Sequence, residues 1–506
     1  MRTGNNAKAT VLALILASIF IALCAGTASA QKYLPGRDFV RALAIPEPVH
    51  LKWKTQEGFP LVATTAIVVP KSSSREELEL AEWLRHGLYT LFGFNPEILM
   101  TDLVPEQNAI IIGTLKSNPS LEDMFPEAAR GGFGDFSGQG YVFTCTPNKA
   151  FLVGVDVDGL RHGVQTVLQI IQVDYYLRNY VLPPVEIVDF PAHDVRGVLI
   201  PLREFRFAEQ MNNIRQLIDA AEMTHLNTVF LQVDNAIEFD SFPSVSRPSA
   251  LAKDTLRNIV QYAREAGMEV IPMVNTFSHQ DGLLCPAFPE LCLDKEFYDP
   301  SKPEVYEKLF PIFDEILEVC QPTYVHIGHD WLRGLARFPK DEGQRLFLED
   351  LKKIYAHLKE KNVQMMMWAD MLLAPEKCEG QDNCYGLLGN AYAVIDSLPR
   401  DIILIEAHYR FRKPEFPSTD YLLSKGFKVV GCVSNDRRVA RDFSKYTAGK
   451  SDRFLGMVVA LWGSLDHDWA SPSRKVMREI AEDIWRGGVP AVDPEGLHKP
   501  RNLKAE

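Results

Sequence analysis

The stretch Tyr324-Val325-His326-Ile327-Gly328-His329-Asp330-Trp331 is an apolar run that ends abruptly in two histidines, a glycine and a carboxylate. A short buried strand carrying a carboxylate at its C-terminal tip is how a parallel barrel presents catalytic groups, because the tip opens into the cavity lined by strand-to-helix loops. Asp330 is therefore the first catalytic candidate. Other apolar runs end in the same kind of residue: Asp234, Asn275 with His279, Trp368 with Asp370, Glu406 with His408 and Tyr409, Asn435, and Trp462. Aromatic faces stack on the apolar faces of pyranose rings and polar groups bond their hydroxyls, so a mouth of carboxylates, imidazoles and indoles suits a carbohydrate. The plainer alternative is that some of these rings only plug the barrel end. Metal binding is the competing use of the histidines, but no His-x-His or His-x-x-x-His pair lies on one expected element. His326 and His329 share one, and their side chains need not converge. No metal and no cofactor is expected, and no Gly-x-Ser-x-Gly elbow marks a serine nucleophile.

The elements that must position these groups alternate regularly from residue 189 onward. Strands are expected at 195–200, 228–233, 270–274, 324–327, 364–368, 402–406, 428–433 and 457–462, with amphipathic helices between them at 212–223, 255–266, 303–320 and 344–359. A last helix at 473–485 would close the ring. The pattern predicts an α/β chain whose main body is a (β/α)8 TIM barrel over residues 189–490. Before it, strands at 65–69, 109–112, 141–144 and 150–153 and helices at 76–91 and 158–173 predict a small α/β domain over 31–188. Residues 491–506 read as a tail.

Arg2 and Lys8 precede an apolar run at 10–24, and Ala28-Ser29-Ala30 has the small residues of a cleavage site. Residues 1–30 thus read as a signal peptide, with a secreted or periplasmic mature chain starting near Gln31 and no membrane contact after cleavage. A formal net charge of -12 without a long basic cluster argues against nucleic acid as a partner. In an exported chain the close pairs Cys285/Cys292 and Cys378/Cys384 are candidates for loop disulfides, whereas Cys145, Cys320 and Cys432 lie in apolar contexts as buried thiols.

The 324–331 stretch resembles the signature of the glycoside hydrolase family 20 β-N-acetylhexosaminidases, His-x-Gly-Gly-Asp-Glu, with Trp331 standing where that family carries its acid/base glutamate. The resemblance extends to Asp189-Phe190-Pro191 followed by Arg196-Gly197, to Asn227, to Glu269-Val270-Ile271-Pro272, to His279, to Trp368-Ala369-Asp370 and to Trp462. The segment 158–169 resembles the close of the family's non-catalytic N-terminal domain. The chain departs from the family at Gln232-Val233-Asp234-Asn235, where a longer acidic and aromatic signature is usual, and at Asn275-Thr276-Phe277-Ser278-His279, which lacks a Pro-Gly.

The resemblance implies a retaining hydrolysis in which the 2-acetamido oxygen of an N-acetylhexosamine attacks its own anomeric carbon, an aspartate orients the acetamido group, and a glutamate protonates the leaving oxygen. Asp330 inherits the aspartate role. An indole has no proton to give a glycosidic oxygen, so Glu406, Asp370 or His329 would have to supply it from a neighbouring tip. Arg196 is expected to grip a sugar hydroxyl, and Asp234, His279, His329, Trp331, Trp368, Tyr409 and Trp462 to complete a carbohydrate site. A weakened carbohydrate-binding pseudoenzyme is the alternative.

Overall fold

A computed structural model describes residues 43–124 and 138–488, apart from 55, 175–178, 203–210, 379, 381–382 and 463–469. The expected signal peptide and C-terminal tail lie outside the described residues. The chain divides into two compact units, 1–191 with 490–506, and 192–489.

The first unit is built on a seven-stranded mixed sheet whose spatial order is His50–Trp53, Val185–Asp189, Tyr141–Cys145, Lys149–Gly154, Ala109–Thr114, Ala66–Val69 and Glu97–Met100. Helices Arg75–Phe92 and Val157–Ile170 complete it. The first begins with a capping box, in which Ser74 Oγ accepts the Glu77 amide at 3.3 Å and Glu77 Oε2 accepts the Ser74 amide at 2.7 Å. The other oxygen of the buried Glu77 takes the Thr114 amide at 2.8 Å, so one carboxylate ties the helix start to the strand end. The expected helix at 158–173 stops at Ile170, because Gln172–Asp174 pairs antiparallel with Asn179–Leu182. Strand pairing of the β-branched Val173 there overrides helical spacing.

The second unit is a closed parallel barrel in chain order. Its strands are β1 (Val195–Pro201), β2 (Thr228–Gln232), β3 (Glu269–Thr276), β4 (Tyr324–Gly328), β5 (Gln364–Trp368), β6 (Ile403–Ala407), β7 (Lys428–Val433) and β8 (Phe454–Ala460). Closure comes from β1 lying beside β8, with Val198 opposite Val459. The helices are α1 (Met211–Met223), α2 (Lys253–Glu265), α3 (Pro303–Cys320), α4 (Lys340–Glu360), α5 (Pro417–Ser424), α6 (Arg437–Thr447) and α7 (Ala470–Trp485). A 3-10 segment, Leu388–Ser397, replaces a helix between β5 and β6.

Strands buried on both faces must be apolar throughout, which is why they read as continuous runs rather than alternations. Leu199, Phe230, Ile271, Met366, Ile405 and Val458 fill the barrel interior, while their chain neighbours Val198, Val229, Val270, Met365, Leu404 and Val459 pack outward under the helices. Both cysteine pairs, Cys285–Cys292 and Cys378–Cys384, are bonded, and Cys145, Cys320 and Cys432 are buried thiols.

Candidate active site

The C-terminal end of β4 departs from extended backbone within one residue of its last pairing. Gly328, His329 and Trp331 all adopt positive φ, at 64°, 66° and 50°. A side chain at 328 would place its Cβ 2.4 Å from Asn275 Oδ1, so only glycine fits there. For His329 and Trp331 the left-handed conformation costs on the order of 1–3 kcal/mol each, which the surrounding packing must offset. The consequence is directional. The kink turns Asp330 into the mouth and sends His329 the other way, into the packing against α4.

The mouth holds an open cavity of about 300 Å³, room for one pyranose and little more. Asp330, Asp370, His279, Trp331, Trp368, Tyr409 and Trp462 all line it. His279 Nε2 lies 3.4 Å from Asp330 Oδ2. Burial alone would push the Asp330 carboxyl up, but the hydrogen bond and charge of His279, with help from its own backbone and His326, bring it below its ordinary value. Asp370 behaves in the opposite way. Burial and then the charge of Asp330 drive its carboxyl well above the ordinary range, against the opposing pull of the Trp331 amide. That amide donates to Asp370 Oδ2 at 2.9 Å. Asp330 Oδ1 and Asp370 Oδ1 have no hydrogen-bond partner among the described residues. Two carboxyls whose surroundings drive their proton affinities apart are a pair suited to one proton holder and one anion.

Aromatic rings make the rest of the wall. Trp368 is nearly buried, its ring 4.8 Å edge-on from the buried His326 and 6.4 Å from Trp462. Trp462 Nε1 donates to the Tyr409 hydroxyl at 3.0 Å. Trp331 is 38% exposed at the rim, with the Arg333 guanidinium 3.8 Å over its ring and Arg333 itself paired with Glu296 at 3.0 Å. The cation–π contact steadies the Trp331 indole.

Four expected site residues lie elsewhere. Arg196 does not reach the mouth: at the N-terminal end of β1, it is fully buried and donates to the carbonyls of His225, His193 and Asp194 at 2.8, 2.9 and 3.1 Å. Glu406 faces away from the pocket, its carboxylate accepting from Ser418 and, at 2.6 Å, from Thr419 on α5. His329 is sealed between Phe277 and Phe347, and its Nδ1 lies 3.0 Å from Thr276 Oγ1. Because that hydroxyl already donates to the Ile327 carbonyl, the imidazole is the donor in this contact. Asp234 is buried beneath the mouth, where it accepts from the Asn275 amide at 2.8 Å and from Asn275 Nδ2 at 2.9 Å. It positions Asn275, which does line the cavity. Sequence reading missed Tyr385 and Asn383, which line the pocket from the loop after β5. Their only signal was proximity to the Cys378–Cys384 loop.

Among the described residues, no three His, Cys, Asp or Glu side chains are grouped to hold a metal ion, and no helix is long and apolar enough to cross a membrane. The chain shares its fold with a β-N-acetylhexosaminidase from Streptomyces coelicolor A3(2) (TM-score 0.65, 15% identity, 88% of this chain and 91% of that one). It does so also with a Flavobacterium johnsoniae chitobiase (TM-score 0.64, 19% identity, 87% and 68%). In sequence the chain is 27% identical over 323 residues to a β-hexosaminidase of Porphyromonas gingivalis, covering 56% of this chain and 38% of that one. It is 26% identical over 371 residues to a chitooligosaccharidolytic β-N-acetylglucosaminidase of Bombyx mori, covering 66% and 57%. The chain thus spans less than two thirds of the length of either relative. Residues 44–190 match domain 2 of glycosyl hydrolase family 20 and residues 195–486 match its catalytic domain, so the chain belongs to glycosyl hydrolase family 20.

Proposed function

We propose that this chain is an exported β-N-acetylhexosaminidase that releases terminal 2-acetamido sugars from glycans. The observation that carries the reading is Asp330: an anionic carboxylate held against His279, one oxygen unpartnered, in an aromatic pocket sized for one sugar ring. Placed there, it accepts the acetamido N–H and supports the positive charge that develops as the acetamido oxygen closes on the anomeric carbon. Trp368, Trp462 and Tyr409 supply faces for the ring, and Trp331 forms the rim toward the leaving group. The bonded cysteine pairs favour an oxidising compartment and so support export.

The test is sugar release from aryl N-acetyl-β-glucosaminides and N-acetyl-β-galactosaminides. Turnover of at least one class is expected, falling by about 10²-fold or more in Asp330→Asn, as when one preorganised charge-stabilising group is removed. Because the Asp330 side chain is 27% exposed, the variant should lose no more than about 1 kcal/mol of stability. Tight sugar binding without release in the wild type would refute the hydrolase reading. Activated aryl glycosides ask no acid of the protein, whereas natural glycosides do, and Trp331 cannot be that acid.

A further inference from the structure

We propose that Asp370 is the acid that protonates the leaving oxygen, acting from the tip of β5 beside Asp330 and anchored to the amide of Trp331, the residue that replaces the family's glutamate. The assignment rests on the hydrolase reading above. Its geometric basis is that Asp370 lines the same cavity as Asp330 and is tied to the Trp331 backbone. Oδ2 takes the Trp331 N–H at 2.9 Å, the buried Oδ1 has no partner among the described residues, and the residue itself lines the cavity. The carboxyl thus has a position open for a proton, on a residue that lines the cavity.

The other candidates fail on position. Both Glu406 oxygens are taken by α5 hydroxyls, and the side chain does not line the cavity. His329 is fully buried, and its Nδ1 proton is committed to Thr276. Asp330 is held in its anionic form by His279 and serves the acetamido group. Among the described residues lining the cavity, Asp370 is the remaining carboxyl, and burial together with the neighbouring Asp330 charge favours its protonated form.

The step balances without a further reactant. As the acetamido oxygen bonds to the anomeric carbon, the bond from that carbon to the leaving oxygen breaks. The Asp370 proton passes to the leaving oxygen, so the aglycone departs as an alcohol. Two adjacent carboxylates would repel each other, but the cationic cyclised sugar formed at the same moment lies between their charges and offsets this. Asp370, now anionic, then takes a proton from water as that water attacks the anomeric carbon. The ring reopens to the acetamido sugar with retained configuration, and Asp370 regains its proton.

Asp370→Asn removes the proton but keeps an oxygen to accept the Trp331 amide. With chitobiose as the natural glycoside and the 2,4-dinitrophenyl N-acetyl-β-glucosaminide as the activated one, kcat/KM of the variant should fall by about 10² to 10⁴-fold on the first. On the second it should stay within about tenfold of wild type. In the wild type, rising pH deprotonates Asp370, so activity on chitobiose should fall on the alkaline side while that on the dinitrophenyl glycoside does not. Equal loss of both substrates in a folded variant, or no loss of either, overturns the assignment and leaves Asp370 an anchor of the Trp331 loop. If the variant does not fold, the wild-type profiles decide, and the same alkaline limb on both substrates overturns it. A wild type that turns over neither substrate overturns the hydrolase reading itself.

Discussion

Arg196→Met should unfold the barrel more easily without touching sugar handling. The Arg196 side chain lies at the end of the barrel opposite the pocket, fully buried, with its guanidinium 4.9 Å over the Trp485 ring of α7. It satisfies three backbone carbonyls, those of His225, His193 and Asp194. Methionine fills most of the volume but offers no donor. The His225 and His193 carbonyls left unsatisfied cost about 1–3 kcal/mol each and the lost cation–π contact about 2 kcal/mol when desolvated, whereas the exposed Asp194 carbonyl keeps the Asn227 side-chain amide at 2.7 Å. Against this, the variant no longer has to bury a charge, which returns several kcal/mol. The balance is a net loss of about 2–4 kcal/mol, large against ordinary domain stabilities. Thermal and urea unfolding followed by tryptophan fluorescence would measure it, with the barrel transition tracked separately because the chain holds two units. kcat and KM on an aryl N-acetylglucosaminide, corrected for folded fraction, should match the wild type. A stability change under about 1 kcal/mol together with a tenfold or greater rise in KM would show that Arg196 reaches the sugar after all, and the placement would be refuted.

Glu406→Gln should likewise act on the fold alone: it loosens the hold on Ser418 and Thr419 and costs about 2–4 kcal/mol. The ratio of rates on natural and activated glycosides should not move, and a selective loss on the natural glycoside would make Glu406 the acid. Asp350 on α4, between the Tyr298, Tyr306 and His329 side chains and near Lys353, has its carboxyl pushed up by burial to about 7 despite two tyrosine hydroxyls. Its proton is held more tightly folded than unfolded, so stability is full below about pH 4 and declines toward pH 7, by on the order of 4 kcal/mol. Urea midpoints across that range should show the decline, and Asp350→Asn should flatten it.

The barrel itself was legible because its signal is local. Strands buried on both faces must be apolar, helices at its outside must be amphipathic, and the two alternate along the chain in plain sight. The tips that carry Asp330, Asp370, His279, Trp368 and Trp462 follow from that same reading, since the end of a run marks the mouth. Alternation along the strand also settles Glu406: Ile403 and Ile405 point inward, so Glu406 points out. Arg196 begins its strand rather than ending it, which places it at the closed end.

What no local pattern could supply is the fate of residues just past the tips. At Gly328, His329 and Trp331 the backbone turns left-handed, and alternation no longer tells which side chain faces the cavity. That turn is dictated by contacts from other strands, such as Asn275 against Gly328 and Thr276 against His329. The same holds for the two aspartates. Their types and spacing are written in the chain, but the burial and mutual charge that make Asp330 an anion and Asp370 a proton holder exist only once β4 and β5 lie side by side.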